Sequence, residues 1–181
     1  MNLTFTQLCD YFDKHESESY LFHKTESFDI DRFTQCMSTE ALHCFKPRGL
    51  WFSIGSAFFK WEYKERYFTS ETNYIYKLMN KYDITTDITD VQKKKVLEIR
   101  QSDVLDFHNK YHIGNIFKSA DLCRDFGGLI FTNYDPYRTF YECVWYNCID
   151  ADSGCIWNPE LVKDVVLIAK KNVNGLYDIV M

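Results

Sequence analysis

Two stretches, Leu21-Phe22-His23-Lys24-Thr25 and Gly49-Leu50-Trp51-Phe52-Ser53, decide how this chain is read. The first is a short apolar run that delivers an imidazole and a hydroxyl at its end. The second alternates bulk after a glycine. It then hands over to an aromatic segment bearing Phe58, Phe59, Trp61, Tyr63 and Tyr67, which Ser56 is placed to cap as a helix. Two such strand ends lying side by side build a nucleotide cleft. One supplies a hydrogen-bonding imidazole, the other a backbone edge and an aromatic platform.

Outward from this pair, Phe5, Leu8, Cys9 and Phe12 recur at helical spacing behind Thr4, which predicts a capped helix over 3–15. Strands are expected over 19–24, 49–54, 73–78 and 94–100, with a turn rich in Thr and Asp over 82–90. Ser102 or Asp103 starts a short helix to about Tyr111. Another runs over 119–125 and is closed by Gly127-Gly128 before the buried strand Leu129-Ile130-Phe131. The aromatic segment 135–147 reads as helix or irregular chain. Further strands are expected at Cys155-Ile156-Trp157, over 164–169 and over 176–180, the last after the turn signal Asn174-Gly175. Helices and strands alternate irregularly, which indicates an α+β domain and not a βαβ series. The expected architecture is two small, mostly antiparallel sheets around a cleft, with peripheral helices, in one domain over 1–181.

Composition bounds the class. At 181 residues with 18% aromatics and only seven glycines and three prolines, the chain can bury a core without staples. No apolar run approaches the roughly 20 residues that span a bilayer. The start carries acidic residues and lacks the basic and apolar regions of a signal peptide, so an intracellular, cytoplasmic location and no membrane partner are expected. A net charge of −5 disfavours generic nucleic-acid binding, which needs basic clusters. Lys93-Lys94-Lys95, the one tight basic run, reads as the solvated approach to a strand.

The seven cysteines (Cys9, Cys36, Cys44, Cys123, Cys143, Cys148, Cys155) are odd in number and irregular in spacing, which fits reduced, mostly buried thiols. His108 and His112 share a helix face, and Cys143, Cys148 and Cys155 could complete a tetrahedron. No CxxC occurs, however, and no metal is expected. Neither a GxxxxGK[ST] nor a GxGxxG loop is present, and there is no GxSxG elbow.

His23-Lys24-Thr25 after an apolar strand, followed by Gly49-Leu50-Trp51-Phe52-Ser53 and an aromatic helix, resembles the ADP-ribosyltransferase fold of the poly(ADP-ribose) polymerase and diphtheria-toxin-like branch. That branch carries His-Gly-Thr or His-Gly-Ser, then a Gly-aliphatic-aromatic-Phe-small strand. A C-terminal strand there begins with glutamate. Ser153-Gly154-Cys155-Ile156-Trp157-Asn158-Pro159 with Val165-Val166-Leu167-Ile168 resembles this last region. It is also similar to uncharacterised viral proteins with a Ser-Gly-Cys-Ile-Trp-Asn run, which implies a host-cell setting.

The resemblance implies an intracellular transferase, a glycosyltransferase, with NAD as its substrate. His23 would bond a ribose hydroxyl, the Lys24 backbone would meet the nicotinamide amide, and Thr25 would steady that strand. Gly49, Trp51 and Ser53, with Ser56, would form the second wall. Tyr63 or Trp61 would stack on the nicotinamide ring. Two departures stand out: Lys24 replaces the family glycine, and Ser153 occupies the place of the glutamate. Asp152, Asp150, Glu142 and Glu160 are local substitutes, and Asp152 is chosen by proximity to support the developing cation.

The acceptor, a protein or a nucleic-acid end, is left open. Within the same fold, an NAD-dependent RNA 2′-phosphotransferase would draw on Arg48, Arg66 and Arg100. Of a different class is a non-catalytic module gripping a protein through aromatics. The bland reading keeps Trp51, Phe52, Phe58, Phe59 and Trp61 as core.

Overall fold

Thr4 starts the first helix through a reciprocal cap. Its hydroxyl accepts the Gln7 N–H at 3.4 Å, and the Gln7 side chain takes the Thr4 N–H at 2.9 Å. Helix α1 (Phe5–His15) then buries Leu8, Cys9 and Phe12 along one stripe. The computed structural model describes residues 1–24, 26–29, 47, 49–65, 72–80, 95–114, 116–135 and 141–180.

The strands are β1 (Asn2–Leu3), β2 (Tyr20–Lys24), β3 (Leu50–Ile54), β4 (Tyr74–Asn80), β5 (Lys95–Arg100), β6 (His112–Ile113), β7 (Ile116–Phe117), β8 (Phe126–Thr132), β9 (Ser153–Ile156), β10 (Val162–Lys171) and β11 (Tyr177–Ile179). Among the described residues the further helices are α2 (Ala57–Lys64), α3 (Val104–Tyr111) and α4 (Ser119–Asp125), and a 3-10 turn covers Val144–Cys148. The expected separation into two small sheets is not what forms. One nine-stranded sheet runs β1-β11-β10-β4-β2-β3-β9-β8-β5, and β6-β7 make a separate hairpin. Within the large sheet β5 and β8 are parallel and the other pairs antiparallel.

Strand alternation explains why one sheet can enclose a cleft. One core cluster joins Leu8 and Phe12 of α1 and Phe59 of α2 to Leu21, Ile75, Ala169 and Tyr177. A second joins Phe107 and Tyr111 of α3, Leu122 of α4 and Trp145 to Leu129, Phe131 and Cys155. These side chains stand on one face, so that face carries two helical layers, one on each half of the sheet. The opposite face is a third cluster, with Phe22, Tyr76 and Leu78 from one half meeting Phe52, Val96, Ile130 and Ile156 from the other. Both halves therefore share one core and meet at β2-β3.

Glycines serve close approach at two points. A Cβ on Gly49 would collide with Cys155 Sγ and sit 2.6 Å from the Ile156 carbonyl oxygen. Gly127-Gly128, expected to end a helix, lie inside β8, where a Cβ on Gly128 would come within 2.9 Å of the Cys155 carbonyl. Neighbouring backbone, and not a turn, is what requires glycine there. The short β1 and the β6-β7 hairpin carry no sequence signal in the reading above. Among the described residues, no helix is long and apolar enough to cross a membrane.

Candidate functional site

The junction between the halves is very short. β2 and β3 pair only at Tyr20↔Ile54 and Leu21↔Ser53. Gly55 N–H continues the join outward by bonding Ser19 O at 2.8 Å. Inward, the next hydrogen-bonded pair on this register is His23↔Trp51, and it does not form. Beyond Leu21, β2 continues along β4 to Lys24↔Tyr74, while β3 continues along β9 to Leu50↔Ile156. The sheet forks.

Main-chain direction follows from the alternation of an antiparallel ladder. Lys24 O accepts Asn73 N–H at 3.1 Å on the β4 side, whereas Ser19 O faces β3. Odd-numbered residues of β2 therefore aim their N–H and C=O at β3, and His23 aims its pair into the fork. A cleft of about 380 Å³ fills the opening, lined by residues 21–24 and 49–53 with Phe58, Ile149, Asp150 and Ser153. That volume lies within the roughly 300–1,000 Å³ of small-molecule sites.

Helix α2 supplies one wall. Phe58 lies over the His23 ring at 5.7 Å between centroids and 20° between planes, and Trp61 stacks on Phe58 in turn at 5.6 Å. Across the fork Trp51 is held by its indole N–H, which donates to the Pro47 carbonyl at 3.1 Å. The imidazole is hydrogen-bonded at one nitrogen and approached by a carboxyl at the other. Thr72 Oγ1 lies 3.1 Å from Nδ1, and Glu62 Oε1 lies 3.6 Å from Nε2.

Burial, helped by the Lys24 charge, holds the His23 pKa below the usual histidine range. Burial pushes the Glu62 carboxyl up to about 7. Both shifts favour uncharged forms, so the pair is not held as a fully charged salt bridge.

Of the residues expected to contact a dinucleotide, His23, Lys24, Gly49, Trp51 and Ser53 all line the cleft. The Lys24 carbonyl, however, is taken by the Asn73 N–H on the β4 side, so the backbone edge expected of Lys24 is that of His23. Ser53 is 3% exposed, and its hydroxyl lies 3.3 Å from Leu21 O and 3.1 Å from Gly55 O, which occupies it at the junction. Ser56 donates to the Asp13 carboxylate instead of the cleft, beside Lys60. Thr25, Arg48 and Arg66 lie outside the described residues. Arg100 sits on β5 against Glu98 at 3.3 Å.

Three placements depart from expectation. Tyr63 is 58% exposed with its ring 5.5 Å from Phe5, because five residues along a helix turn it about 140° away from Phe58. Trp61 does not line the cleft and stacks on Phe58, which does. Asp152 is engaged elsewhere: its Oδ1 accepts the Tyr134 N–H at 2.7 Å, and its carbonyl takes the Ile54 N–H at 3.0 Å. The carboxylate that lines the cleft is Asp150.

His108 and His112 do stack, at 5.0 Å, but with Trp145, whose indole N–H donates to His108 Nδ1 at 3.0 Å. Among the described residues no group of three or more His, Cys, Asp or Glu side chains is placed to hold a metal ion.

Sequence reasoning missed Phe58, Glu62 and Thr72. The first two were legible as an i, i+4 pair on one helix face. Thr72 carries no local signal, since only the β2-β4 register brings it to His23. No protein-family model, no curated protein and no solved structure matches this chain.

Proposed function

We propose that the fork binds the nicotinamide end of NAD and that the chain is an ADP-ribosyltransferase-like enzyme. The observation that carries this reading is the unmade rung at His23. An amide N–H and a carbonyl on one residue, turned into a cleft, match the carbonyl and the NH₂ of a carboxamide. Trp51 offers flat apolar surface for the attached ring, and Phe58, stacked between His23 and Trp61, closes the wall beside it. The resemblance carried by His23 and the run from Gly49 to Ser53 points to the same ligand.

In this reading the C1′–N bond of NAD breaks heterolytically. Its electron pair passes to the pyridinium nitrogen and releases neutral nicotinamide. The ribosyl cation left behind is captured at C1′ by a lone pair of a macromolecular acceptor's nucleophile, which gives up its proton to solvent. Asp150 takes over from Asp152 as the carboxylate facing the developing positive charge. Lys24, exposed at the rim, is placed for the pyrophosphate.

The test combines thermal shift with mass spectrometry after incubation with NAD. NAD is expected to raise the Tm of the wild type, and His23→Ala to remove at least half of that rise. Free nicotinamide, or an added ADP-ribose mass on an acceptor, is the expected product. Neither shift nor product would overturn the reading in favour of a non-catalytic protein-binding module.

A further inference from the structure

His23 is held more firmly than simple ligand contact requires. Thr72, at Nδ1, is 2% exposed. Glu62, at Nε2, has a side chain only 12% exposed, and its second oxygen, Oε2, is buried without a hydrogen-bond partner among the described residues. Phe58 and Glu62 are four residues apart on α2, so the helix face that lays a ring over the imidazole also aims a carboxyl at its edge. The 3.6 Å separation from Oε1 to Nε2 is one small side-chain rotation outside hydrogen-bond range.

We propose that Glu62 is the positioning residue of the cleft, setting which nitrogen of His23 carries the proton and holding the ring against Phe58. Two arrangements satisfy both nitrogens. With Glu62 protonated, its O–H donates to Nε2 and the ring donates from Nδ1–H to the Thr72 hydroxyl. With Glu62 ionised, Nε2–H donates to the carboxylate and Thr72 donates to Nδ1.

The carboxyl titrates within the range where this exchange matters, since burial lifts it to about 7 while burial also lowers the His23 pKa. The other titratable groups facing the pair are Lys24 of β2, Tyr177 of β11 and, beyond Tyr177, Cys9 of α1. Burial pushes both the Tyr177 hydroxyl and the Cys9 thiol upward, so neither ionises in this window. Titration of Glu62 therefore switches the tautomer of the imidazole that the ligand meets.

The consequence for NAD rests on the reading above, but the tautomer does not. Imidazole nitrogen chemical shifts of His23, followed by NMR on the free protein from about pH 5.5 to about pH 8.5, report the protonated nitrogen directly. Exchange from Nδ1–H to Nε2–H near pH 7 is expected in the wild type. Glu62→Gln, which cannot ionise, should hold one tautomer over the whole range. A wild-type tautomer that does not change, matching Glu62→Gln, overturns the proposal.

Glu62→Ala should weaken NAD binding about tenfold, the scale for removing a group that orients a binding histidine. Glu62→Gln should bind nearly as the wild type does, without its pH dependence. Full NAD affinity in Glu62→Ala with unaltered His23 shifts would likewise overturn the assignment. Absence of NAD binding by the wild type would sink the functional reading instead, leaving Glu62 to be judged by the nitrogen shifts.

Discussion

At the scale of single residues, a buried carboxyl beside a buried imidazole makes folding itself pH-dependent. The Glu62 pKa rises from 4.5 to about 7 on folding, so between those values the folded chain holds a proton that the unfolded chain has lost. Stability must then fall as pH climbs through that window, with the full penalty present above it. Glu62→Gln removes the term. Urea unfolding at pH 5 and pH 8 should show the variant gaining on the wild type with rising pH, by up to about 3 kcal/mol. An unchanged difference would mean that Glu62 is as well solvated folded as unfolded. His23 and Trp51 were legible as site residues because each sits at the end of a recognisable run. Asp150 and Asp152 could not be told apart by sequence, since both precede Ser153-Gly154 and it is the fold that turns Asp150 to the cleft and Asp152 to the Tyr134 N–H.

At the scale of elements, the fork makes a statement about individual amides. Leu21 pairs with Ser53 across the junction, whereas the His23 N–H is turned toward a rung that is not made. Hydrogen exchange should therefore find Leu21 protected and His23 much faster, with NAD slowing His23 selectively. Equal protection of both amides in the free protein would mean that the strands stay zipped and the cleft is closed. Most elements followed from periodicity and capping: α1 from Thr4 and its apolar stripe, and β2 and β3 from their runs. The exception is instructive. Gly127-Gly128 carry the local signature of a helix stop, yet the tight seat against β9 uses them as strand residues. Spatial neighbours override a local preference when the backbone itself is the obstacle.

At the scale of the whole molecule, the two halves of the sheet are inseparable because their far face is one core. Phe52, 3% exposed, packs there with residues from β2, β4, β8 and β9. Phe52→Ala should cost about 3–5 kcal/mol and keep a single transition, with far-UV and near-UV signals coinciding. Two separated transitions would show that the halves fold independently. A two-sheet expectation was reasonable from strand lengths alone, and the sequence could not reveal that two residue pairs would join them. That join has a further consequence. The depth of the fork is fixed by how many rungs close between β2 and β3, and a rung takes two residues from each strand, about 7 Å of chain. Aperture in this fold is therefore stepped and not continuous, so one more closed rung would leave no room for a ring beside His23.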